Sequence, residues 1–90
     1  MQIKIKFLPP YRKAGEKGEY TLELEENEMT ANDLIEYLSR EWKDQLAFPL
    51  IDEKKGYHTA EIIVDGKHVS LEETIEDGAE VTIVPYICGG

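Results

Sequence analysis

Apolar and polar residues alternate along two segments near the start of the chain, residues 2–8 and 19–25. A period of two residues predicts a β-strand with one buried face. The stretch 11–18 between them contains two glycines and is predicted to form the turn region of a hairpin. The predicted inward-facing residues are Ile3, Ile5 and Phe7 in the first strand and Tyr20, Leu22 and Leu24 in the second.

The hydrophobic period changes after residue 29. Thr30 followed by Asp33 has the pattern of a capping box, which begins a helix. Apolar residues then recur at spacings of three and four, which predicts an amphipathic helix of about four turns. The residues of its apolar stripe are Ala31, Leu34, Ile35, Leu38 and Trp42.

The second half of the chain predicts a long connection and three further strands. The connection, residues 47–59, contains Pro49, Gly56 and a charged cluster, and we expect part of it to be mobile. Asp65-Gly66 predicts a tight hairpin turn, because this dipeptide accepts positive φ angles. Residues 70–75 are predicted to form a short turn or helical piece. The predicted strands are 61–65, with Ile62 and Val64 inward, a short 67–69, and 80–87.

The predicted order of elements is strand, strand, helix, strand, short strand, strand. The first and last strands have the most apolar inward faces, so we expect them side by side and parallel at the centre of the sheet. A right-handed crossover then places the helix on one face. The sequence predicts an α+β fold, the ubiquitin-like β-grasp, with a mixed sheet of four to five strands covered by one main helix. We expect one domain over residues 1–87 and a flexible Gly-Gly tail over residues 88–90.

Composition narrows the classes of partner. Ten basic and nineteen acidic residues give a formal charge of −9, which argues against binding to nucleic acid. The charge fits either a protein partner with a basic docking face or a simple contribution to solubility. No apolar run is long enough to span a bilayer, and the single cysteine, Cys88, cannot form an internal disulfide. We therefore expect a cytoplasmic protein without a membrane partner.

The candidate chemistry lies at Gly89-Gly90, directly after the last predicted strand. An extended tail without side chains can enter a narrow nucleotide site of another protein, and glycine permits backbone angles that other residues resist. The unhindered carboxylate of Gly90 could be adenylated, and a sulfur nucleophile could then displace AMP to leave a thiocarboxylate. The alternative is an inert, frayed terminus.

A candidate docking surface adjoins this tail. By alternation, Leu8, Ile63, Val84 and Tyr86 point away from the helix, onto a sheet face that would be polar in an isolated monomer. An apolar cluster there predicts a docking patch for protein partners. Two further residues lead from the patch to the glycines and are expected to contact the partner: Ile87 and Cys88.

Three segments carry a resemblance to a known family: Ile-Ile-Val-Asp-Gly-Lys-His-Val at 62–69, Ile-Glu-Asp-Gly-Ala-Glu-Val at 75–81, and Pro-Tyr-Ile-Cys-Gly-Gly at 85–90. The chain resembles the ubiquitin-like sulfur carriers, most closely the small-subunit family of molybdopterin synthase. Residues 11–15 also stand where that family has a basic turn ending in glycine. Tyr86 departs from the family's frequent second proline, and Cys88 from its usual small residue.

The resemblance implies a function and a set of partners. A ubiquitin-activating-type enzyme would use ATP to adenylate Gly90, and a sulfurtransferase would convert it to a thiocarboxylate. The molybdopterin synthase large subunit would accept the sulfur and supply the catalytic residues. This chain would then be a non-catalytic subunit that binds no cofactor itself. The alternatives are a ubiquitin-like protein modifier, a sulfur carrier for thiamine or tRNA thiolation, and a plain interaction domain.

Overall fold

The computed structural model describes residues 1–52 and 54–85 as nine strands and one α-helix, with a short 3-10 helix after it. The helix, α1, covers Ala31–Glu41 and the 3-10 turn Lys43–Gln45. The strands are β1 Gln2–Phe7, β2 Glu19–Glu23, β3 Glu28–Thr30, β4 Ile51–Asp52, β5 Tyr57–His58, β6 Ala60–Val64, β7 Lys67–Val69, β8 Thr74–Glu76 and β9 Glu80–Pro85.

The main sheet has five strands in the order β2-β1-β9-β6-β7. β1 and β9 lie side by side and parallel at its centre, with Ile5 opposite Val81 and Phe7 opposite Ile83. β2 pairs antiparallel with β1, and β6 pairs antiparallel with both β9 and β7. The predicted α+β β-grasp fold, with a mixed sheet covered by one helix, is therefore confirmed.

The core forms between α1 and one face of this sheet. Alternate residues of β1 and β9 point into it, and the apolar stripe of α1 packs against them. Thr30 caps α1 as predicted: its hydroxyl accepts a 3.1 Å hydrogen bond from the backbone N–H of Asp33, whose carboxylate accepts from the N–H of Thr30. The fully buried side chains at the centre include Ile3, Ile5, Phe7, Leu34, Ile35, Leu38, Val81 and Ile83.

Two predicted details of the helix differ from the structure. α1 has 11 residues, about three turns rather than four. Trp42 is its C-cap residue, and the indole is half-buried against Tyr20, with ring centroids 4.7 Å apart. The apolar spacing continued past the helix end because Trp42 packs beside the sheet after the helical backbone has stopped.

The segments around the main sheet contain structure that the sequence pattern did not predict. The turn predicted within residues 70–75 is present, without a helical piece, but it leads into β8, which was not predicted and which pairs antiparallel with β3. The connection 47–59 contains its own small ribbon, in which β4 pairs with β5. Leu50 within this connection is buried, with 1% of its surface exposed, so the connection is anchored to the core.

The tight turn at Asp65-Gly66 is confirmed. Both residues have positive φ, 49° at Asp65 and 86° at Gly66, as a two-residue hairpin between β6 and β7 requires. The Asp65 carboxylate also accepts a 3.0 Å hydrogen bond from the N–H of Glu80. The turn is thereby fastened to the start of β9, which holds β6 against that strand.

Among residues 1–52 and 54–85, α1 is the longest helix, and it is neither long nor apolar enough to cross a bilayer.

Candidate functional site

The site is built at the end of β9. This strand is held on both sides, by β1 and by β6, and its described end, Pro85, lies opposite Ala60. The ladder with β1 continues beyond β1 itself, since the N–H of Leu8 donates a 3.1 Å hydrogen bond to the carbonyl of Ile83. The end of β9 is therefore held from both sides.

The predicted tail residues follow directly. Five of the predicted site residues lie outside the described part of the chain: Tyr86, Ile87, Cys88, Gly89 and Gly90. Their assigned roles stay predictions. What the structure provides is the base from which this tail begins.

The other three predicted patch residues, Leu8, Ile63 and Val84, share the sheet face opposite α1. Each alternates with residues of the core: Phe7 precedes Leu8 and Ile83 precedes Val84. The β1–β9 register places Leu8 beside Val84, and Ile63 lies one strand further, opposite Thr82. All three are half-buried. We call these three residues the outer-face patch.

A charged residue lies against this patch that alternation alone did not single out. Glu61 stands directly opposite Val84 in the β6–β9 register, and its carboxylate lies 3.5 Å from Nδ1 of His68. The sequence could have indicated Glu61 as an outward residue of β6. Its position beside Val84 depends on the register between two strands that are separated by 15 residues, which no local pattern gives.

The rest of the outer face is polar. Lys4 lies between Thr21 and Glu80, and Lys6 lies between Glu19 and Thr82, with the Lys6 ammonium 3.8 Å from the Glu19 carboxylate. A shallow concavity of about 630 Å³ runs over these residues. The face is thus apolar at the end where β9 leads to the tail and charged at the opposite end.

No cluster of metal-ligating side chains is assembled in the described ranges. Within 1–52 and 54–85 no three His, Cys, Asp or Glu side chains are grouped to hold a metal ion. No polar or charged residue of these ranges is fully buried.

Tyr11 lies in the predicted turn region, but its burial was not predicted. Its ring is buried, with 1% exposed, and its hydroxyl donates a 2.9 Å hydrogen bond to the carbonyl of Thr59. Burial raises the pKa of the Tyr11 phenol above 10.0, while a second hydrogen bond, 3.2 Å long, with the side-chain hydroxyl of Thr59 acts in the opposite direction. The signal that could have found it is an aromatic residue within a stretch that is otherwise charged or small.

A protein-family model and several solved structures match this chain. The model of the ThiS family matches residues 5–90, which is nearly the whole chain and includes Gly89 and Gly90. The chain belongs to the ThiS family. The resemblance to the ubiquitin-like sulfur carriers is confirmed by this match. A search of curated protein sequences returned no match.

Three solved structures are similar to this ThiS family member. A protein from Pyrococcus furiosus, provisionally named molybdopterin converting factor subunit 1, is 28% identical, with 96% of this chain and 98% of that chain covered and a TM-score of 0.65. SAMP1 from Haloferax volcanii has a TM-score of 0.66 at 14% identity, with both chains fully covered. A complex of molybdopterin-converting factor subunits 1 and 2 from Helicobacter pylori contains a chain with a TM-score of 0.55 at 17% identity, again with full coverage of both. The last two likenesses bear on the fold alone.

Proposed function

We propose that this chain is a sulfur carrier that acts as the small subunit of molybdopterin synthase. The observation that carries the proposal is the family match, which extends through Gly89-Gly90 in a chain whose central strand β9 ends at Pro85, shortly before those glycines. The 28% identity to the Pyrococcus furiosus converting-factor subunit 1 supports the molybdopterin pathway among the functions of such carriers.

The chemistry would take place on the carboxylate of Gly90. An activating enzyme would join this carboxylate to the α-phosphate of ATP, forming an acyl-adenylate and releasing pyrophosphate. A sulfur nucleophile supplied by a sulfurtransferase would then displace AMP and leave a thiocarboxylate. This chain would contribute the reacting carboxyl group and no catalytic side chain, so it would turn nothing over alone.

The fold supports this role by giving the tail a fixed base. Ala60 lies opposite Pro85 and Leu8 is hydrogen-bonded to Ile83, so both sides of the β9 end are held. A rigid base restricts the directions in which the tail can leave the domain. A partner that binds the domain surface thereby receives the tail at a defined place, which lowers the entropy lost on insertion.

The outer-face patch would be the surface that the partners bind. Leu8, Ile63 and Val84 are half-buried apolar residues at the tail-bearing end of an otherwise charged face. Apolar contact there would supply affinity, while the Glu61–His68 pair at its border would favour a complementary partner surface. The activating enzyme and the synthase large subunit would both use this patch, so they would bind in turn.

Reconstitution with purified proteins tests the proposal. The chain is incubated with the adenylating enzyme of its own host, ATP and a sulfur donor, and then with the large subunit and the pterin precursor. We expect pyrophosphate release and sulfur transfer that both require Gly90. Activation without sulfur transfer to the pterin, but with sulfur delivered to thiazole or tRNA, would contradict the molybdopterin assignment. Adducts of Gly90 with protein lysines would favour a protein modifier.

A further inference from the structure

A second apolar surface lies on the helix side of the molecule, where the connection between α1 and β6 folds back beside the helix end. It is a groove of about 580 Å³ that lies between the helix end and the β4–β5 ribbon. We call it the helix-end groove. Its principal lining residues are Ser39, Lys43, Leu46, Phe48, Ile51 and Lys54.

Phe48 gives the groove an exposed aromatic side chain. Its surface is 45% exposed, although the ring packs edge-to-face against buried Tyr11, with centroids 6.1 Å apart. The Tyr11 hydroxyl is itself fixed to the carbonyl of Thr59. The Phe48 ring therefore rests on a fixed neighbour and loses little conformational freedom on binding, which is the property of an aromatic anchor at a protein interface.

Ser39 contributes a polar side chain to the wall of the groove. Its hydroxyl oxygen is shielded from solvent and has no hydrogen-bond partner within the described part of the chain. Polar atoms in such positions are nearly always hydrogen-bonded. Because Ser39 lines the groove, rotation about its Cα–Cβ bond can turn this hydroxyl toward a bound polar group.

Two lysines and one aspartate line the groove, so its lining has a small positive net charge, opposite in sign to that of the molecule. Lys43 and Lys54 lie at its border. Asp52 is the aspartate of the lining, and one of its carboxylate oxygens accepts hydrogen bonds from the N–H of Lys54 at 3.0 Å and of Lys55 at 3.2 Å. The whole chain carries −9. An acidic segment would be repelled by most of the surface and attracted here.

The groove is continuous with the base of the tail. Thr59 lines it, donating its N–H to the carbonyl of Leu50 and its hydroxyl to that of Pro49. The next residue, Ala60, lies opposite Pro85. The groove therefore begins one residue away from the strand pair that leads to the tail, and a protein that holds the tail can reach it.

We propose that the helix-end groove binds a segment of the adenylating enzyme that carries an apolar side chain flanked by carboxylates. The apolar side chain packs on Phe48 and Leu46, the carboxylates face Lys43 and Lys54, and a polar group of the segment pairs with the Ser39 hydroxyl. The inference rests on the proposed function only at its activation step, which is shared by carriers for pterin, thiamine and tRNA and by protein modifiers. It adds a second contact, on the face opposite the outer-face patch.

The test compares binding of variants to the adenylating enzyme of the same host, by calorimetry at low and at 0.5 M salt, roughly the range over which surface charges become screened. Phe48→Asp is expected to weaken binding about tenfold or more, since it removes an aromatic anchor. The double variant Lys43→Glu/Lys54→Glu is expected to weaken binding mainly at low salt. Phe48→Leu, which keeps an apolar side chain, is expected to restore most of the affinity.

Matched controls separate a local effect from a global one. Leu71→Asp changes a residue that is similarly exposed, at 41%, and lies outside the groove. Lys17→Glu/Lys67→Glu makes the same change in net charge at exposed sites elsewhere. Both controls are expected to bind as the wild type does, and thermal unfolding verifies that every variant is folded.

The outcomes distinguish this inference from the proposed function. If the wild type is adenylated and the groove variants bind as tightly as the controls, the groove inference is wrong and the carrier function stands. If the wild type is not adenylated at all, the proposed function is wrong. A concentration-dependent dimer that Phe48→Asp abolishes would show that a second copy fills the groove, which would also overturn the inference.

Discussion

The hydroxyl of Tyr11 donates a 2.9 Å hydrogen bond to the backbone carbonyl of Thr59, joining two segments that are 48 residues apart. Tyr11 lies in the turn after β1, and Thr59 ends the connection that returns to β6. The backbone reinforces this link, because the N–H of Ala47 donates to the carbonyl of Tyr11. The tail-bearing end of the sheet is thus closed by contacts outside the strand ladders.

Tyr11→Phe is expected to lower the free energy of unfolding at neutral pH by about 1 kcal/mol, the usual net contribution of one hydrogen bond. A second effect appears in alkali. Because burial raises the pKa of Tyr11 above 10.0, the unfolded chain loses its phenol proton first as pH rises. The stabilisation is present below pH 10 and is lost as pH rises through the folded-state value.

Denaturant titrations at several pH values between neutrality and about pH 11 measure both effects. The wild type is expected to lose stability at the alkaline end, and Tyr11→Phe is expected to lose less over the same interval. Tyr20, whose pKa burial and the Glu16 carboxylate also raise, contributes to the loss that the variant retains. Parallel curves for the two proteins would contradict the assigned role of Tyr11.

The β3–β8 ribbon contains a like-charge pair. Glu28 lies directly opposite Glu76, and both are exposed. Like charges at facing positions destabilise a ribbon, so Glu76→Lys is expected to raise the free energy of unfolding by about 0.5 kcal/mol. Thermal unfolding at low and high salt measures the gain, which screening should reduce.

Glu72→Lys is the control for Glu76→Lys, because it makes the same charge change in the turn before β8, outside the β3–β8 register. Glu72→Lys is expected to raise the free energy of unfolding by less than Glu76→Lys does. Equal gains for the two variants would mean that the total charge of −9, and not the facing pair, sets the effect.

Gly18 is required for the close approach between the hairpin turn and β1. Its φ is 72°, and an added Cβ would lie 2.7 Å from the carbonyl oxygen of Phe7. Gly15 has a similar φ of 85° with open space around it. Gly15→Ala is expected to lower the free energy of unfolding by about 1 kcal/mol, because alanine resists the left-handed backbone. Gly18→Ala is expected to lower it by roughly 1–3 kcal/mol more, because of the clash.

Chemical denaturation of the two glycine variants measures that difference. If Gly18→Ala lowers the free energy of unfolding no more than Gly15→Ala does, the turn can move away from Phe7 without loss of stability.

Val84→Asp tests the outer-face patch. A carboxylate beside Leu8 and opposite Glu61 is expected to weaken binding of the adenylating enzyme by about tenfold or more. Thr21→Asp, at the polar end of the same face, adds the same charge and is expected to bind normally. Surface plasmon resonance gives both affinities, and thermal unfolding establishes that both domains are folded. Equal affinities would remove the patch from the interface.

The fold could be predicted from the sequence wherever one period dominates a segment. Alternation gave the inward faces of β1 and β9, and Thr30 with Asp33 located the start of α1. The central parallel pair followed from which strands were most apolar. These features depend on local patterns or on burial, and both can be inferred from the residue types alone.

The features that could not be predicted depend on long-range register or on segments too short to have a period. β3 and β8 have three residues each, and β4 and β5 two, so no alternation can be recognised. The approach of Glu61 to Val84 and the contact of Tyr11 with Thr59 arise only when distant segments meet. The helix-end groove belongs to this class, because its walls come from both sides of the connection.

The most direct test of the central claim is the intact mass of the protein purified from its native host. The proposal predicts a fraction heavier than the sequence by the replacement of one oxygen with sulfur, and the loss of that fraction when Gly90 is deleted. The unfractionated mass also verifies that the chain ends at Gly90. An unshifted mass in the presence of active adenylating enzyme, ATP and sulfur donor would contradict the assignment as a sulfur carrier.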